Sequence, residues 1–362
     1  MAKKLKFTPG RQHRQNDLFD LTGDLFASDE IQTPAAEDTH PLTAVERLMV
    51  EDFTVNAPSS LRKSGPATPD DVMALRREEI KAVRKLRFIS FGSGSSGNCA
   101  YLGDERGGVL IDAGVEPDKV REALNFHGLS MKDVKGVCLT HDHSDHVRFV
   151  YSLVRKYTHI GVYCTPKVLS GLLRRHSISR RIKDYHHPIY KEFPFQVAGF
   201  EITAFGVEHD GTDCCGFYFV NDGLRFAVAT DLGGVNDRVD YYLRRARFVM
   251  IEANYDLTML RNGPYPMHLK ARIEGPAGHL DNIDAGRFLK SIYSPDLTHV
   301  FLCHLSNENN TPEAALSAVT SALLEAGARG VGDGSGSIES RQCAVQLVAL
   351  PRYDASPLYT FR

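Results

Sequence analysis

Three imidazoles and two carboxylates fall within the six residues His141-Asp142-His143-Ser144-Asp145-His146, directly after the apolar run Gly136-Val137-Cys138-Leu139. Packing alone does not account for such a cluster, because carboxylates and imidazoles that leave water need partners. Divalent cations would supply them. With His141 and His143 followed by Asp145 and His146, one short turn can face two metal centres. A solvated polar loop without metal is the plainer alternative.

A dinuclear centre needs further ligands, and three residues stand at or just beyond the ends of β-type runs. His209 lies past the run at 201–205, Asp231 closes Phe226-Ala227-Val228-Ala229-Thr230, and His304 closes Val300-Phe301-Leu302-Cys303. Imidazole and carboxylate donors suit zinc, manganese or iron, and donor type alone does not select among them. Two adjacent cations would give a bridging hydroxide near neutral pH and stabilise the charge that develops in an in-line phosphoryl displacement. Asp145 can also hold the nucleophile's remaining proton. Asp112, after Val109-Leu110-Ile111, reads as the acceptor that orients a ligand histidine. An ordinary turn after a strand is its alternative.

With 362 residues, 42% of them hydrophobic, the chain can build one large domain or two around a substantial core. A formal net charge of −2 excludes a global polycation, so nucleic-acid contact has to come from a local patch. No run approaches the roughly 18 apolar residues that a membrane span requires. Met1-Ala2-Lys3-Lys4 is basic without the apolar core of a secretory signal. Seven cysteines, an odd number without repeating spacing, do not make a disulfide framework. A cytoplasmic, reducing setting is expected, and oligomeric state is left open.

Residues 1–84 differ in texture from the rest and are expected to form a partly disordered or helical extension. Thr68-Pro69-Asp70-Asp71 announces a helix start near its end. Residues 85–362 are the expected main domain. β-type runs at 86–91, 99–102, 109–111, 136–139, 161–163, 201–205, 216–220, 225–229, 248–251, 300–303 and 344–350 alternate with helical patterns. Those patterns fall at 117–126, 147–157, 167–175, 237–246, 283–292 and 312–326. Hairpin-like pairs early and helices later suit two stacked sheets with helices outside, although periodicity does not separate this from other α/β sandwiches.

The His-x-His-x-Asp-His turn, followed in order by His209, Asp231 and His304, resembles the metallo-β-lactamase superfamily. The resemblance implies an αββα four-layer sandwich of two mixed β-sheets flanked by helices. It assigns His141, His143 and His209 to one metal, Asp145, His146 and His304 to the other, and Asp231 to the bridge. Aspartate instead of cysteine at the bridge favours the phosphoester hydrolases of the superfamily. Further blocks narrow the likeness: Ser93-Gly94-Ser95-Ser96-Gly97-Asn98, Glu252-Ala253-Asn254-Tyr255-Asp256, Gly278-His279-Leu280-Asp281-Asn282 and His304-Leu305-Ser306-Asn307-Glu308-Asn309-Asn310. Together they resemble the YycJ/WalJ-like branch over roughly residues 86–350, with Asp281 where serine is common. That branch implies a phosphodiesterase with two divalent ions (Zn2+ or Mn2+), its members being 5′-to-3′ exonucleases on double-stranded DNA.

Substrate contacts are less sharply marked. Ser93, Ser95 and Asn98 could bind phosphate, or simply form a tight turn between strands. Asn254, Ser306, Asn307 and Asn310 could hydrogen-bond a phosphate or sugar, although asparagine is equally at home in turns. His279 is a candidate to bind the scissile phosphate or protonate the departing oxygen, with capping of the next helix as its alternative. Arg174-Arg175-His176 with Arg180-Arg181-Ile182-Lys183 reads as a strip for a polynucleotide backbone or as a solvated face. Two other functions stay open: a phosphodiesterase for cyclic nucleotides or ribose phosphates, and a metal-stabilised regulatory or binding protein.

Overall fold

The computed structural model describes residues 85–361. The expected extension at 1–84, with its Thr68-Pro69 helix start, lies outside the described residues. In chain order the strands are β1 (Leu86–Gly92), β2 (Cys99–Asp104), β3 (Gly107–Ile111), β4 (Val134–Cys138), β5 (Gly161–Cys164) and β6 (His186–Pro188). They continue with β7 (Phe195–Val197), β8 (Phe200–Gly206), β9 (Cys215–Asn221), β10 (Leu224–Ala229), β11 (Phe248–Glu252) and β12 (His299–Cys303). The last three are β13 (Val331–Gly332), β14 (Val345–Ala349) and β15 (Tyr359–Phe361).

These strands form two mixed sheets, ordered β15-β1-β2-β3-β4-β5-β6 and β13-β14-β12-β11-β10-β9-β8-β7. Each sheet joins an antiparallel half, made of hairpins, to a parallel half running from β3 to β6 or from β10 to β14. Side-chain alternation with a period of two then sorts residues into layers. Phe88, Leu102 and Ile111 meet Phe217, Phe226 and Phe301 between the sheets. Their neighbours Ile89, Tyr101 and Leu110 point outward onto helices through Val120, Leu124 and Val150. On the other sheet Ala227, Val249 and Leu302 pack on helices through Val239, Leu289 and Val319. The layers are therefore helix, sheet, sheet, helix, the expected αββα sandwich. No described helix is long and apolar enough to cross a membrane.

The helical pattern at 147–157 is broken into Ser144–Val147 and Val150–Lys156. The cause is Phe149, whose amide donates to Ala113 O at 2.9 Å instead of continuing a helical ladder. Strands β6, β7, β13 and β15 and the helices Leu257–Asn262 and Met267–Ile273 carried no expectation. Each is too short for a period to show.

Parallel strands place their C-terminal ends along one edge, where open α/β sheets bind ligands. Asp112 follows β3, His141 lies just past β4, Asp231 lies two residues past β10, Glu252 ends β11 and His304 follows β12. His209 lies just beyond β8.

Candidate metal centre

Three of these strand-end residues hold the left-handed backbone region that side chains disfavour: Asp112 at φ 60°, Asp231 at 54° and His304 at 55°. Such conformations persist where the surroundings over-determine them, and they cluster at functional sites. The histidine-rich turn is pinned from the other side. Asn98 N donates to Asp145 O at 2.8 Å and Ala113 N to His146 O at 2.7 Å. A β-carbon on Gly114 would collide with the Asp145 carbonyl, so that close approach requires glycine.

The pinned turn and the strand ends converge. Donor atoms of His141, His143 and His209 lie within 4.8 Å of one another, as do those of Asp145, His146 and His304. Asp231 joins the two groups. Its Oδ2 is 3.1 Å from His146 Nε2, and its Oδ1 is 3.6 Å from His209 Nε2 and 3.4 Å from His304 Nδ1. His209 Nε2 is 3.3 Å from His143 Nδ1, and His304 Nε2 is 3.4 Å from Asp145 Oδ2.

Behind this cluster, acceptors fix the far ring nitrogens. His146 Nδ1–H donates to Asp112 at 2.7 Å, His209 Nδ1–H to Gly278 O at 2.9 Å, and His304 Nδ1–H to Glu252 at 2.9 Å. Each Nε2 is thereby turned toward the cluster, the arrangement that metal-ligating histidines show. Asp112 is itself held by the Thr140 amide and hydroxyl at 2.8 and 2.9 Å.

Burial and charge oppose one another here. Burial and the neighbouring His146 push the His141 imidazole far down. At His146 burial also acts downward, but Asp231, Asp112 and Asp145 outweigh it and carry the group well above its ordinary value. Burial raises the Asp231 carboxyl, and His304 with His146 more than reverse that. His304 is carried up to about 10, because Asp231 and the hydrogen bonds to Asp145 and Glu252 exceed the effect of burial. A buried carboxylate-rich cluster of this kind calls for cationic compensation. His141 Nε2 is moreover buried without a hydrogen-bond partner. That orphaned donor atom, in an all-nitrogen-and-oxygen set, fits divalent metal.

The expected substrate contacts divide. Ser93 Oγ accepts the His304 amide at 2.9 Å, and Asn98 bridges Gly94 N, at 2.8 Å, to Asp145 Oδ2, at 3.1 Å. Asn254 donates to His304 O at 2.7 Å, and Asn310 bonds Asn282 and Ala253 O, both at 2.9 Å. These four are buried and serve the scaffold of the site. Ser95 and Asn307 are exposed and Ser306 is half-buried. His279 does not cap the following helix; Asp281 does, accepting from Ile283 N and Asp284 N at 2.7 and 2.9 Å. His279 Nδ1–H donates instead to Glu252 Oε1 at 2.8 Å, and its imidazole is held above its ordinary value because Glu252 outweighs burial.

Two participants escaped the sequence reading. Glu252, fully buried, holds His279 and His304 and accepts from Leu232 N and Leu280 N at 2.7 and 3.1 Å. It closes an apolar strand just as His304 does, and that position was its signal. Asp210 Oδ1 lies 3.2 Å from His143 Nε2, with Arg272 on its other oxygen at 2.6 Å. Of the basic strip, Arg175 faces Asp142 at 3.5 Å and Arg174 bonds Thr212 at 3.2 Å, while Arg180 and Arg181 are exposed.

A profile described as the beta-lactamase superfamily domain matches residues 108–301. Exodeoxyribonuclease YycJ of Bacillus anthracis is 34% identical over 254 residues, covering 68% of this chain and 92% of that protein. Exodeoxyribonuclease WalJ of Streptococcus pneumoniae is 31% identical over 241 residues, covering 67% and 89%. Among solved structures, the metallo-beta-lactamase fold protein YhfI from Bacillus subtilis superposes with a TM-score of 0.54 at 12% identity, over 77% of this chain and all of that one. Zn(2+)-bound PqqB from Methylobacterium extorquens gives 0.52 at 16% identity, over 76% and 99%. These two speak to the fold.

Proposed function

The chain belongs to the metallo-β-lactamase superfamily as a YycJ-like protein, and from that premise we propose that it is a DNA exonuclease hydrolysing phosphodiester bonds from the 5′ end. One coincidence carries the reading. The convergent imidazole–carboxylate cluster occurs in a chain matching proteins named exodeoxyribonucleases over about nine-tenths of their length.

His141, His143 and His209 would hold one divalent ion and Asp145, His146 and His304 a second, with Asp231 between them; zinc and manganese both suit these donors. When bound, such ions supply Lewis acidity toward water and toward phosphoryl oxygens. Asp145 accepts the proton that the attacking water gives up. His279, with Nδ1–H committed to Glu252, offers its other ring nitrogen to the departing oxygen. The Glu252 carboxylate outweighs burial and favours the protonated ring, which is the form that transfer needs. Ser95, Ser306 and Asn307 are the polar groups left accessible for the DNA strand. A cytoplasmic setting agrees with seven free cysteines.

The test is 5′-end-labelled duplex DNA incubated with protein loaded with manganese or zinc and resolved by product length. Early release of the label as short product is expected, and His143→Ala should abolish it. Intact DNA beside ready hydrolysis of bis(p-nitrophenyl) phosphate would replace the exonuclease with a small-molecule phosphodiesterase.

A further inference from the structure

The glycine-rich loop at 93–98 supports the metal cluster on one side, through Ser93 under His304 and Asn98 beside Asp145. Its other side walls a cavity of about 300 Å3 where Lys119, Arg148 and Arg352 converge against a single lining carboxylate, Glu116. The Arg148 guanidinium donates to Ser96 O at 3.4 Å and makes no other hydrogen bond or ion pair among the described residues. Lys119 is exposed and has no partner among them. Arg352 lies along Gly94, where a β-carbon would press on its side chain, and its Nη1 is buried without any hydrogen-bond acceptor. A guanidinium keeps its charge, so three cations gathered around one cavity against a single carboxylate favour an anion there. Tyr353 stands at the rim, 61% exposed, its hydroxyl donating to Asn307 Oδ1 at 3.3 Å. Cations with an open aromatic ring beside them are the groups that hold a single nucleic-acid strand.

We propose that this cavity binds a non-scissile phosphate of the DNA strand, with Tyr353 stacking on an adjacent base. The assignment rests on the nuclease reading, and it adds where the strand leaves the metal cluster: across the loop that both sites share. The source of the phosphate, terminal or internal, is decided by the substrate used.

The experiment measures binding of metal-loaded protein to a phosphorothioate duplex, which resists cleavage, carrying either a 5′ phosphate or a 5′ hydroxyl. Lys119→Glu combined with Arg148→Gln should raise Kd about ten-fold or more. It should also reduce the slope of log K against log salt by about 1, the value for one lost phosphate contact. Both residues are exposed, and an unchanged Tm verifies that the variant folds. Tyr353→Ala should weaken binding with the salt slope intact. Loss confined to the 5′-phosphate duplex assigns a terminal phosphate, and equal loss on both duplexes assigns an internal one. Lys132→Glu, an exposed charge change ahead of β4, should shift Kd by less than two-fold. An equal loss there, or no loss in the cavity variants, overturns the subsite while leaving the nuclease reading standing. Wild-type protein that binds neither duplex overturns both.

Discussion

Glu252 Oε1 lies 2.9 Å from His304 Nδ1, so a fully buried carboxylate fixes which ring nitrogen of His304 faces Asp145. The same oxygen holds His279 at 2.8 Å, which ties a candidate metal ligand and a candidate acid to one charge. Glu252→Gln keeps the shape and removes that charge. Metal affinity should fall by about 10- to 100-fold, the usual consequence of losing a partner behind a ligand histidine. Metal retained against graded chelator measures this, and wild-type retention would show that His304 needs no such support.

His279 groups with Asp231, Glu252 and His304 within 4.8 Å, but its Nδ1, 3.9 Å from Asp231 Oδ1, is committed to Glu252 at 2.8 Å. His279→Ala should therefore leave close to two metal ions per chain while lowering turnover by roughly 10²- to 10⁴-fold, the range for a general acid. Elemental analysis beside phosphodiester kinetics separates the two effects. Normal turnover would remove His279 from the chemistry.

The strands and the imidazole–carboxylate cluster were legible because their signals are local, whereas the four-layer order rested on the family resemblance. Each of the eleven β-type runs is a strand, and His209, Asp231 and His304 announced themselves as polar residues at or beyond apolar strand ends. Substrate contacts were less legible, because composition does not reveal which way a side chain points. Ser93 and Asn310 look like hydrogen-bonders and are, but toward the His304 amide and Ala253 O. Glu252 carried the same strand-end signal, but only packing shows that its carboxylate turns to His279 and His304. Arg352 and Tyr353, far along the chain from loop 93–98, reach it only through long-range packing, as in the bond from Ser93 N to Arg352 O.

Asp142, the residue between two candidate ligand histidines, reaches sideways. Its carboxylate accepts from Thr212 N at 2.9 Å and Thr212 Oγ1 at 2.6 Å, which ties the loop after His209 to the histidine turn. Thr212→Val removes the hydroxyl bond and leaves the amide bond. A charge-assisted bond of this kind contributes about 1.5–3 kcal/mol, so Tm should fall by several degrees. The His141–His143–His209 group should lose metal first, read as one ion per chain released at lower chelator concentration. Unchanged Tm and stoichiometry would mean the loop is held by other contacts.

His299 gives an acid-side prediction away from the metal cluster. Burial, with Arg247 adding to it, lowers its imidazole to about 4, and it packs against Phe248 and Phe361. The unfolded chain titrates near 6.5. Between those values the unfolded state binds the additional proton, so stability declines as pH falls through the interval and the loss is complete below about 4. The full loss amounts to about 3 kcal/mol, from the 1.36 kcal/mol per pKa unit. His299→Gln should be less stable at pH 7, having lost its ring contacts, yet lose about 2 kcal/mol less than wild type between pH 7 and pH 4.5. Urea unfolding of both proteins in chelator, which removes the contribution of metal release, measures this difference. Parallel pH profiles would place the acid sensitivity on other groups.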